Sequence, residues 1–167
     1  MTQLLKAFLD IALWRKTPAA LPASAFLLTL AAIADAVVEA VQDWLFPDRQ
    51  HILFNVVVTV AAPLCFTWAA LALTKKRHRF FQTGSAVLGI DAMIGLLFLP
   101  LEAVARSAGP NSALAPVFAL LVYAGLIAYL IANMNVWRAA LDVGLISAGL
   151  VSLGNVVMQL VLRQESA

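Results

Sequence analysis

The sequence predicts an all-α fold: an integral membrane bundle of five transmembrane helices, preceded by a short interfacial amphipathic helix. The first observation is composition, because 63 % of the 167 residues are hydrophobic and only 12 % are charged, whereas soluble domains carry about 25 % charge. The second is that the apolar residues lie in blocks reaching the roughly 20 residues that a helix needs to cross the hydrocarbon core. Such blocks are too long for barrel strands, so we expect helices.

Residues 1–22 are predicted to form the interfacial amphipathic helix and a Pro-rich turn on the cytoplasmic side. Apolar side chains at positions 4–13 recur at mostly helical spacing, and charged side chains fall on or near the other face. A signal peptide is the alternative, but the apolar stretch is short and contains Asp10, and basic residues stand where a cleavage site needs small ones. Pro18 and Pro22 then end the helix.

Five apolar runs make up the predicted transmembrane domain, residues 23–162, and residues 163–167 form a short external tail. The connecting segments are too short for a folded domain outside the membrane, so one compact bundle is expected. The predicted spans are Ala23–Val41, Ile52–Leu73, Ser85–Leu101, Ala113–Ala132 and Ala139–Leu162.

The distribution of Lys and Arg predicts the orientation. With the N-terminus in the cytoplasm, the outer side carries Arg49, Arg106 and Arg163, and all the other Lys and Arg residues lie on the inner side. The inner set is Lys6, Arg15, Lys16, Lys75, Lys76, Arg77, Arg79 and Arg138. The opposite orientation would violate the positive-inside rule, so we expect a cytoplasmic N-terminus and an external C-terminus.

The segment "TKKRHRFFQTG" concentrates four of these basic residues: Lys75, Lys76, Arg77 and Arg79. Its first expected role is to determine topology. Pairing with the phosphates of anionic lipids is a compatible second role, which contributes about 1 kcal/mol per basic residue near the surface. Nucleic-acid binding is not expected, because no reading module or second basic surface accompanies the segment.

Polar side chains inside the predicted spans are the candidate functional residues, because each ionisable group there costs at least about 2.5–3.5 kcal/mol. The candidates are the carboxyls Asp35, Glu39 and Asp91 and the amides Asn155 and Gln159. Asp35 and Glu39 lie four residues apart, hence on one helix face, which we expect to turn toward Asp91 and the amides. Carboxyls that meet cannot all ionise cheaply, so the group is expected to hold a proton near neutral pH.

Two interpretations of these residues remain open. One is a polar path in which Asp35, Glu39 and Asp91 serve as proton or cation sites. The other is a packed interior in which the amides join helices by hydrogen bonds and Asp91 is protonated. In that interpretation Glu39 is shallow, because Asp43, Trp44 and Asp48 follow it and mark the outer interface. The sequence favours the second, because five spans cannot form an inverted repeat of equal halves and only Pro63 interrupts a span interior.

Small residues and two further polar residues complete the pattern. Small residues that recur every four positions along a helix indicate close helix packing inside the bundle, with a dimer face as the alternative. The stripes are Gly144, Ala148 and Ser152 in the fifth span and Ser85 and Gly89 in the third. We place Asn55 near the outer end of the second span and Asp142 in the fifth span near its cytoplasmic end.

Neither enzymatic activity nor a cofactor or metal is expected. The sequence contains no HExxH, GxSxG or Gly-rich phosphate loop, and His51 and His78 fall on opposite sides of the membrane. The single Cys65 excludes a disulfide within the chain. An aspartyl protease built on Asp35 and Asp91 is disfavoured, because "IADAVVE" and "GIDAMIG" lack the glycine and hydroxyl neighbours that such sites usually show.

Two stretches, "LLKAFLDIALWRKTPAALPAS" and "KKRHRFFQTGSAVLGIDAMIGLLFLPL", resemble a group of small proteobacterial inner-membrane proteins that are sometimes likened to the Yip1 family. The Yip1 likeness is architectural: five spans, a cytoplasmic N-terminus and an external C-terminus. The resemblance implies a bacterial inner-membrane location. It does not imply the GTPase binding of eukaryotic Yip1-type proteins, which use longer N-terminal regions than the 22 residues or so expected here.

The function expected from the sequence is that of a non-enzymatic inner-membrane protein that associates with, assembles or stabilises a membrane partner complex, or forms a homo-oligomer. This expectation rests on the small soluble part of the chain and on the stripes of polar and small residues, which are suited to contacts between helices. The alternative is a small proton- or ion-coupled transporter or channel that uses the intramembrane carboxylates.

Overall fold

The protein is described by a computed structural model, which covers residues 2–45, 52–108, 112–113 and 115–164. In these ranges the chain forms six α-helices and two 3₁₀ turns, and contains no strand. The 3₁₀ turns are Pro18–Ala20 and Arg77–Arg79. The helices are α1 (Thr2–Ala12), α2 (Ala25–Leu45), α3 (Ile52–Leu73), α4 (Phe80–Ala108), α5 (Ala115–Leu141) and α6 (Leu145–Gln164).

The all-α membrane architecture is confirmed. Within the described ranges, five helices are long and apolar enough to cross a membrane, and their mean hydropathy lies between 1.7 and 2.2. These are α2 to α6, and α1 is the short helix that precedes them. Pro63 lies inside α3, and Pro100 proves to lie inside α4 as well, because that helix runs past the predicted end of its span. The prediction of a single interrupting proline was therefore wrong.

The boundary between the last two spans was also predicted wrongly. Helix α5 runs on to Leu141 instead of ending at Ala132, so the predicted loop "NMNVWR" is helical. The reason is tertiary: Val136 and Trp137 are fully buried in the core. The Asn135 amide donates 2.8 Å and 2.9 Å hydrogen bonds to the carbonyls of Ile11 and Lys16, which bound the end of α1. Polar residues that cap another helix satisfy that helix's orphan carbonyls.

Asp142 and Gly144 consequently leave the predicted fifth span and form the turn between α5 and α6. Asp142 adopts a left-handed conformation with φ of 50°. A Cβ added to Gly144 would meet nothing within 4 Å. The prediction that Gly144 packs against another helix was therefore wrong, because the sequence period of four continued past the real start of the helix.

The bundle is organised around α4. Helix α2 packs chiefly along α4, α5 lies between α4 and α6, and α3 contacts α2, α4 and α6. Helix α1 packs across α4 and α5, where Ile11 is fully buried and the ring of Phe8 covers Gly89. The Trp14 indole N–H donates a 2.9 Å hydrogen bond to the Ile131 carbonyl. We call this end of the bundle, with α1, the 74–79 connection and the 142–144 turn, the basic end.

Two basic side chains fix the turn between α5 and α6. The Lys76 ammonium lies 2.9 Å from Asp142 Oδ2 and also donates to the Leu141 carbonyl. The Arg79 guanidinium lies 2.9 Å from the same carboxylate oxygen and donates to the carbonyls of Ala139, at 2.9 Å, and Ala140, at 3.2 Å. These contacts satisfy carbonyls at the end of α5, where cations are also favoured by the helix dipole.

The close approach of α1 to α4 yields a test of packing. A Cβ at Gly89 would lie 2.3 Å from the Phe8 ring, whereas a Cβ at Gly144 would enter open space. We expect Gly89→Ala to lower the free energy of unfolding by about 1–3 kcal/mol, the usual cost of overpacking a core, and Gly144→Ala to leave it nearly unchanged. Thermal unfolding in detergent measures both. Equal stability of the two variants would show that Phe8 does not hold α1 in this position.

The ion pairs of Asp142 predict a pH dependence. Hydrogen bonds from Lys76 and then from Arg79 hold the pKa of the Asp142 carboxyl below its usual value of 3.8. A carboxyl whose pKa is lowered by folding stabilises the protein above the unfolded pKa, and this contribution disappears as the pH falls through the folded pKa. We expect Asp142→Asn, which keeps a residue tolerant of left-handed φ, to lower the Tm at pH 7.

The difference in Tm between wild type and Asp142→Asn should close as the pH falls below 3.8, the usual value for this carboxyl. Unfolding curves recorded in detergent from pH 7 downward measure this difference. A Tm difference that stays constant over that range would contradict a stabilising role for the Asp142 charge. The loss of stability in Asp142→Asn would then come from the shape of the side chain.

Candidate polar core

A buried stripe of carboxyls runs along α2. The buried residues of this helix recur at every fourth position: Leu27, Ala31, Asp35, Glu39 and Asp43. Asp35 is 3 % exposed, Glu39 5 % and Asp43 0 %, and the helix packs chiefly on α4 and next on α3. The acidic face of α2 therefore lies inside the bundle, where the high cost of exposing carboxyls to lipid would place it.

The middle of the bundle brings residues from four helices together. The Tyr129 side chain of α5 lies beside the Asp91 carboxyl of α4 and the Gln159 amide of α6, and Asp35 of α2 lies in the neighbourhood. Tyr129 and Gln159 are close to each other without a hydrogen bond, because Gln159 Nε2 makes no well-aligned hydrogen bond within the described residues. We call Asp35, Asp91, Tyr129 and Gln159 the mid-span group.

The name reflects the depth of these residues. Counted along their helices from the basic end, Asp35 is ten residues from Ala25 and Asp91 eleven from Phe80. At a rise of 1.5 Å per residue, the members of the group lie about 15–21 Å from that end, near the middle of a hydrocarbon core about 30 Å thick. Glu39 belongs to the next turn of α2, further from the basic end.

Polar residues continue from this group to the other end of the bundle. The Asn55 amide of α3 donates a 3.1 Å hydrogen bond to Asp43 Oδ2 of α2. The Gln42 amide donates a 3.2 Å hydrogen bond to Glu102 Oε1 of α4. From the sequence alone Asp43 is expected at the outer interface, and Glu102 is not a candidate. Both residues stand near the predicted ends of spans. Only the pairing of helices shows that they face inward.

Asn155 is the least satisfied of the predicted candidates. Its side chain is 0 % exposed, and neither atom of its amide has a hydrogen-bond partner among the described residues. It therefore does not join helices by a hydrogen bond there, as the packed-interior interpretation expected. Asn155 stands one turn from Gln159 on the same face of α6. Buried polar atoms without a protein partner are the usual positions of internal water or an ion.

Other unsatisfied polar atoms lie between the mid-span group and the basic end. These buried atoms have no hydrogen-bond partner in the described part of the chain: Thr67 Oγ1, Ser85 Oγ, Asn133 Oδ1 and Trp137 Nε1. They come from α3, α4 and α5, so the polar character of the interior extends toward the basic end on several helices. Internal water bonds to buried polar atoms of this kind wherever the space beside them admits a molecule.

The remaining small residues of the predicted stripes are buried within the chain. Ala148 and Ser152 face the core from α6, and the Ser152 hydroxyl donates a 3.3 Å hydrogen bond to the Leu130 carbonyl of α5. Ser85 is buried on α4, and Gly89 receives the Phe8 ring. These four residues make contacts between helices of one chain, whereas a dimer face would leave them on the outside.

The four basic residues of the 74–79 connection have different surroundings. Lys76 and Arg79 bind the turn between α5 and α6. The Arg77 guanidinium lies 5.1 Å from the centre of the Trp68 ring, a cation–π distance. Lys75 is exposed. Their roles in topology and in lipid binding stay predictions, but two of the four have a structural role that the sequence did not reveal.

Within the described ranges, no cluster of three or more His, Cys, Asp or Glu side chains could hold a metal ion. His51 lies outside those ranges, His78 is exposed in the connection between α3 and α4, and Cys65 is exposed on α3. What the mid-span group can do chemically is take up and release a proton, because a carboxyl accepts a proton when it is ionised and donates one when it is protonated.

Tyr129 is the member of the group that sequence analysis missed. Tyr129 lies three residues before the predicted end of the fourth span at Ala132, where an aromatic residue is typical of the membrane interface. Only the continuation of α5 to Leu141 places it deep in the bundle. No family model, curated protein sequence or solved structure matches this chain.

Proposed function

We propose that the protein is a small, non-enzymatic, proton-coupled membrane transporter or channel. The observation that supports this proposal is the mid-span group, in which Asp91, Tyr129 and Gln159 meet with Asp35 at the centre of the bundle. Ionisable residues at this depth are expensive, and in membrane proteins they mark ion pathways and proton relays. A carboxyl accepts a proton when it is ionised and donates one when it is protonated, so the group has the chemistry that a proton relay needs.

The surroundings of the group favour transport over a packed interior. Toward the far end, Glu39 and Asp43 extend the acidic stripe along α2. At the depth of Asp35, one turn from Gln159 on α6, the fully buried Asn155 amide has no partner within the described residues. A packed interior would leave such an amide satisfied by another helix, because an unpaired buried polar group costs about 1–3 kcal/mol. A hydrated path would supply water at the same place.

Orientation and location belong to the same proposal. The positive-inside rule supports a cytoplasmic basic end, and α1 with the 74–79 connection places most of the Lys and Arg residues there. The resemblance of two stretches to proteobacterial inner-membrane proteins supports the bacterial inner membrane. The far end of the bundle, with Asp43 and Glu102, would then face the periplasm.

Association with a membrane-protein partner is the second candidate function. The observation that favours it concerns α5, which has the smallest buried share of the five described spans, 11 % against 17–28 % for the others. Its outer residues, among them Leu120, Tyr123 and Ile127, are exposed. A partner helix could cover this face in the membrane, where lipid would otherwise do so.

Proton flux separates the two candidates. We expect Asp91→Asn to slow proton uptake into proteoliposomes at least about tenfold, because the amide has no titratable proton and positioned acid–base groups typically contribute 10²–10⁴ in rate. A pH-sensitive dye trapped in the vesicles, with a potassium gradient and valinomycin as the driving force, measures the uptake. Tyr129→Phe should also slow it.

Tyr123→Phe is the matched control, because Tyr123 stands on the same helix but is 65 % exposed, and its flux should equal that of wild type. Thermal unfolding establishes that each variant is folded. A folded Asp91→Asn protein with wild-type flux would refute the transport proposal, and wild-type protein that carries no flux above empty vesicles would do the same. Either result would leave partner association as the function to pursue.

The proposed orientation is tested by cysteine labelling in a Cys65→Ala background. Lys75 and Ala113 are exposed residues at opposite ends of α4. A membrane-impermeant maleimide should label Ala113→Cys in intact cells and spheroplasts, and Lys75→Cys only after the membrane is permeabilised. The reverse pattern would invert the orientation, and labelling of both residues from outside would contradict a span between them.

A further inference from the structure

A cavity of about 370 Å³ opens at the basic end, between the 3₁₀ turn at Pro18–Ala20, the start of α4 and the end of α5. Its volume falls in the range of small-molecule sites. The polar groups in its lining are those of Thr17, Arg79, Gln82, Thr83, Arg138 and Asp142. None of these residues belongs to the mid-span group, so the cavity is a separate site.

The lining is suited to an anion. Arg79 and Arg138 bring two guanidinium groups, which cannot lose their charge at any physiological pH. The only carboxylate in the lining is Asp142, and it is paired at 2.9 Å with both Lys76 and Arg79. The four charged groups together carry a positive excess, and guanidinium groups favour the oxygens of phosphate.

Thr83 gives an independent indication of a ligand. This cavity residue is only 1 % exposed, and its hydroxyl makes no hydrogen bond to any described residue. A threonine in a helix readily satisfies its hydroxyl on a preceding carbonyl, as Thr74 does on Ala70 at 2.9 Å. The Thr83 hydroxyl is therefore a donor in the wall of the cavity that has no partner among the described residues.

The backbone adds to the same chemistry. Thr83 lies in the first turn of α4, a helix of 29 residues, so the positive end of the helix dipole adds to the charge of the two guanidinium groups. The Gln82 amide donates a 2.8 Å hydrogen bond to the Leu21 carbonyl, which holds the 3₁₀ turn as the opposite wall. The cavity is thus built by tertiary contacts and is not a gap between mobile loops.

We propose that this cavity binds a phosphate group, with Arg79, Arg138 and the Thr83 hydroxyl as its donors. The group can come from an anionic phospholipid or from a soluble phosphate compound. The surroundings favour the lipid: the Arg138 guanidinium lies 5.1 Å from the centre of the Trp14 ring, and tryptophan characteristically lies at head-group depth. Basic pockets between membrane helices are known to take lipid head groups.

Native mass spectrometry of the detergent-purified protein tests the site, with phosphatidylglycerol as the probe and phosphatidylcholine as the zwitterionic comparison. We expect Thr83→Val, which preserves shape and removes the hydroxyl, to weaken phosphatidylglycerol binding about tenfold, the effect of losing one hydrogen bond to a charged group. Arg138→Gln should weaken it at least as much. Lys6→Gln removes an exposed charge of α1 that does not line the cavity, and should change the affinity less than twofold.

Two competition arms identify the source of the phosphate. Displacement of the lipid by millimolar inorganic phosphate or glycerol phosphate, in wild type but not in Thr83→Val, would support a soluble phosphate compound. Lipid that resists this competition would support a head-group site. Equal binding to wild type, Thr83→Val and Arg138→Gln, each shown to be folded by thermal unfolding, would overturn the proposal. An equal loss in Lys6→Gln would overturn it too, because the binding would then be general surface electrostatics.

Discussion

The constraint on which this bundle depends is the cost of carboxyls within hydrocarbon. Because Asp35, Glu39 and Asp43 share one face of α2, that face must be covered along the helix, and the opposite face is left with apolar side chains for lipid. Helix α4 provides the cover. A Cβ at Gly95 of α4 would lie 2.6 Å from Val38 Cγ1, so the missing side chain allows the two helices to approach closely and brings Asp91 to the level of Asp35.

At the basic end, positive side chains satisfy backbone carbonyls. The turn between α5 and α6 leaves carbonyls at a helix end, which in a membrane protein need donors. Lys76 and Arg79 supply those donors from the connection between α3 and α4, and Asp142 orients both of them. The connection thereby holds together helices that are distant in sequence. Basic residues that are often explained by topology alone here also complete the fold.

Hydropathy alone predicted the five spans, because a run of about 20 apolar residues has few alternatives in lipid. It failed where polar residues are satisfied by distant parts of the chain. Asn135 made a helical segment resemble a loop, since its partners are carbonyls near α1, more than a hundred residues away. The depth of Asp35 and Asp91 in the membrane was predictable from their positions within the apolar runs of the sequence. Tyr129 was not identified, because its importance comes only from which helices are neighbours.

The two ends of the bundle make the proposed path asymmetric. A cation that approached from the basic end would meet Lys76, Arg79 and Arg138 first, and like charges raise the cost of its entry. At the far end, Asp43 and Glu102 lower that cost. A cation larger than a proton would therefore reach the mid-span group more readily from the far end. A proton meets the same positive field, because it carries a unit charge even when it moves along water and hydroxyl groups. The charge arrangement thus makes the far end the easier entrance for any cation, and makes the basic end the side where its release is favoured.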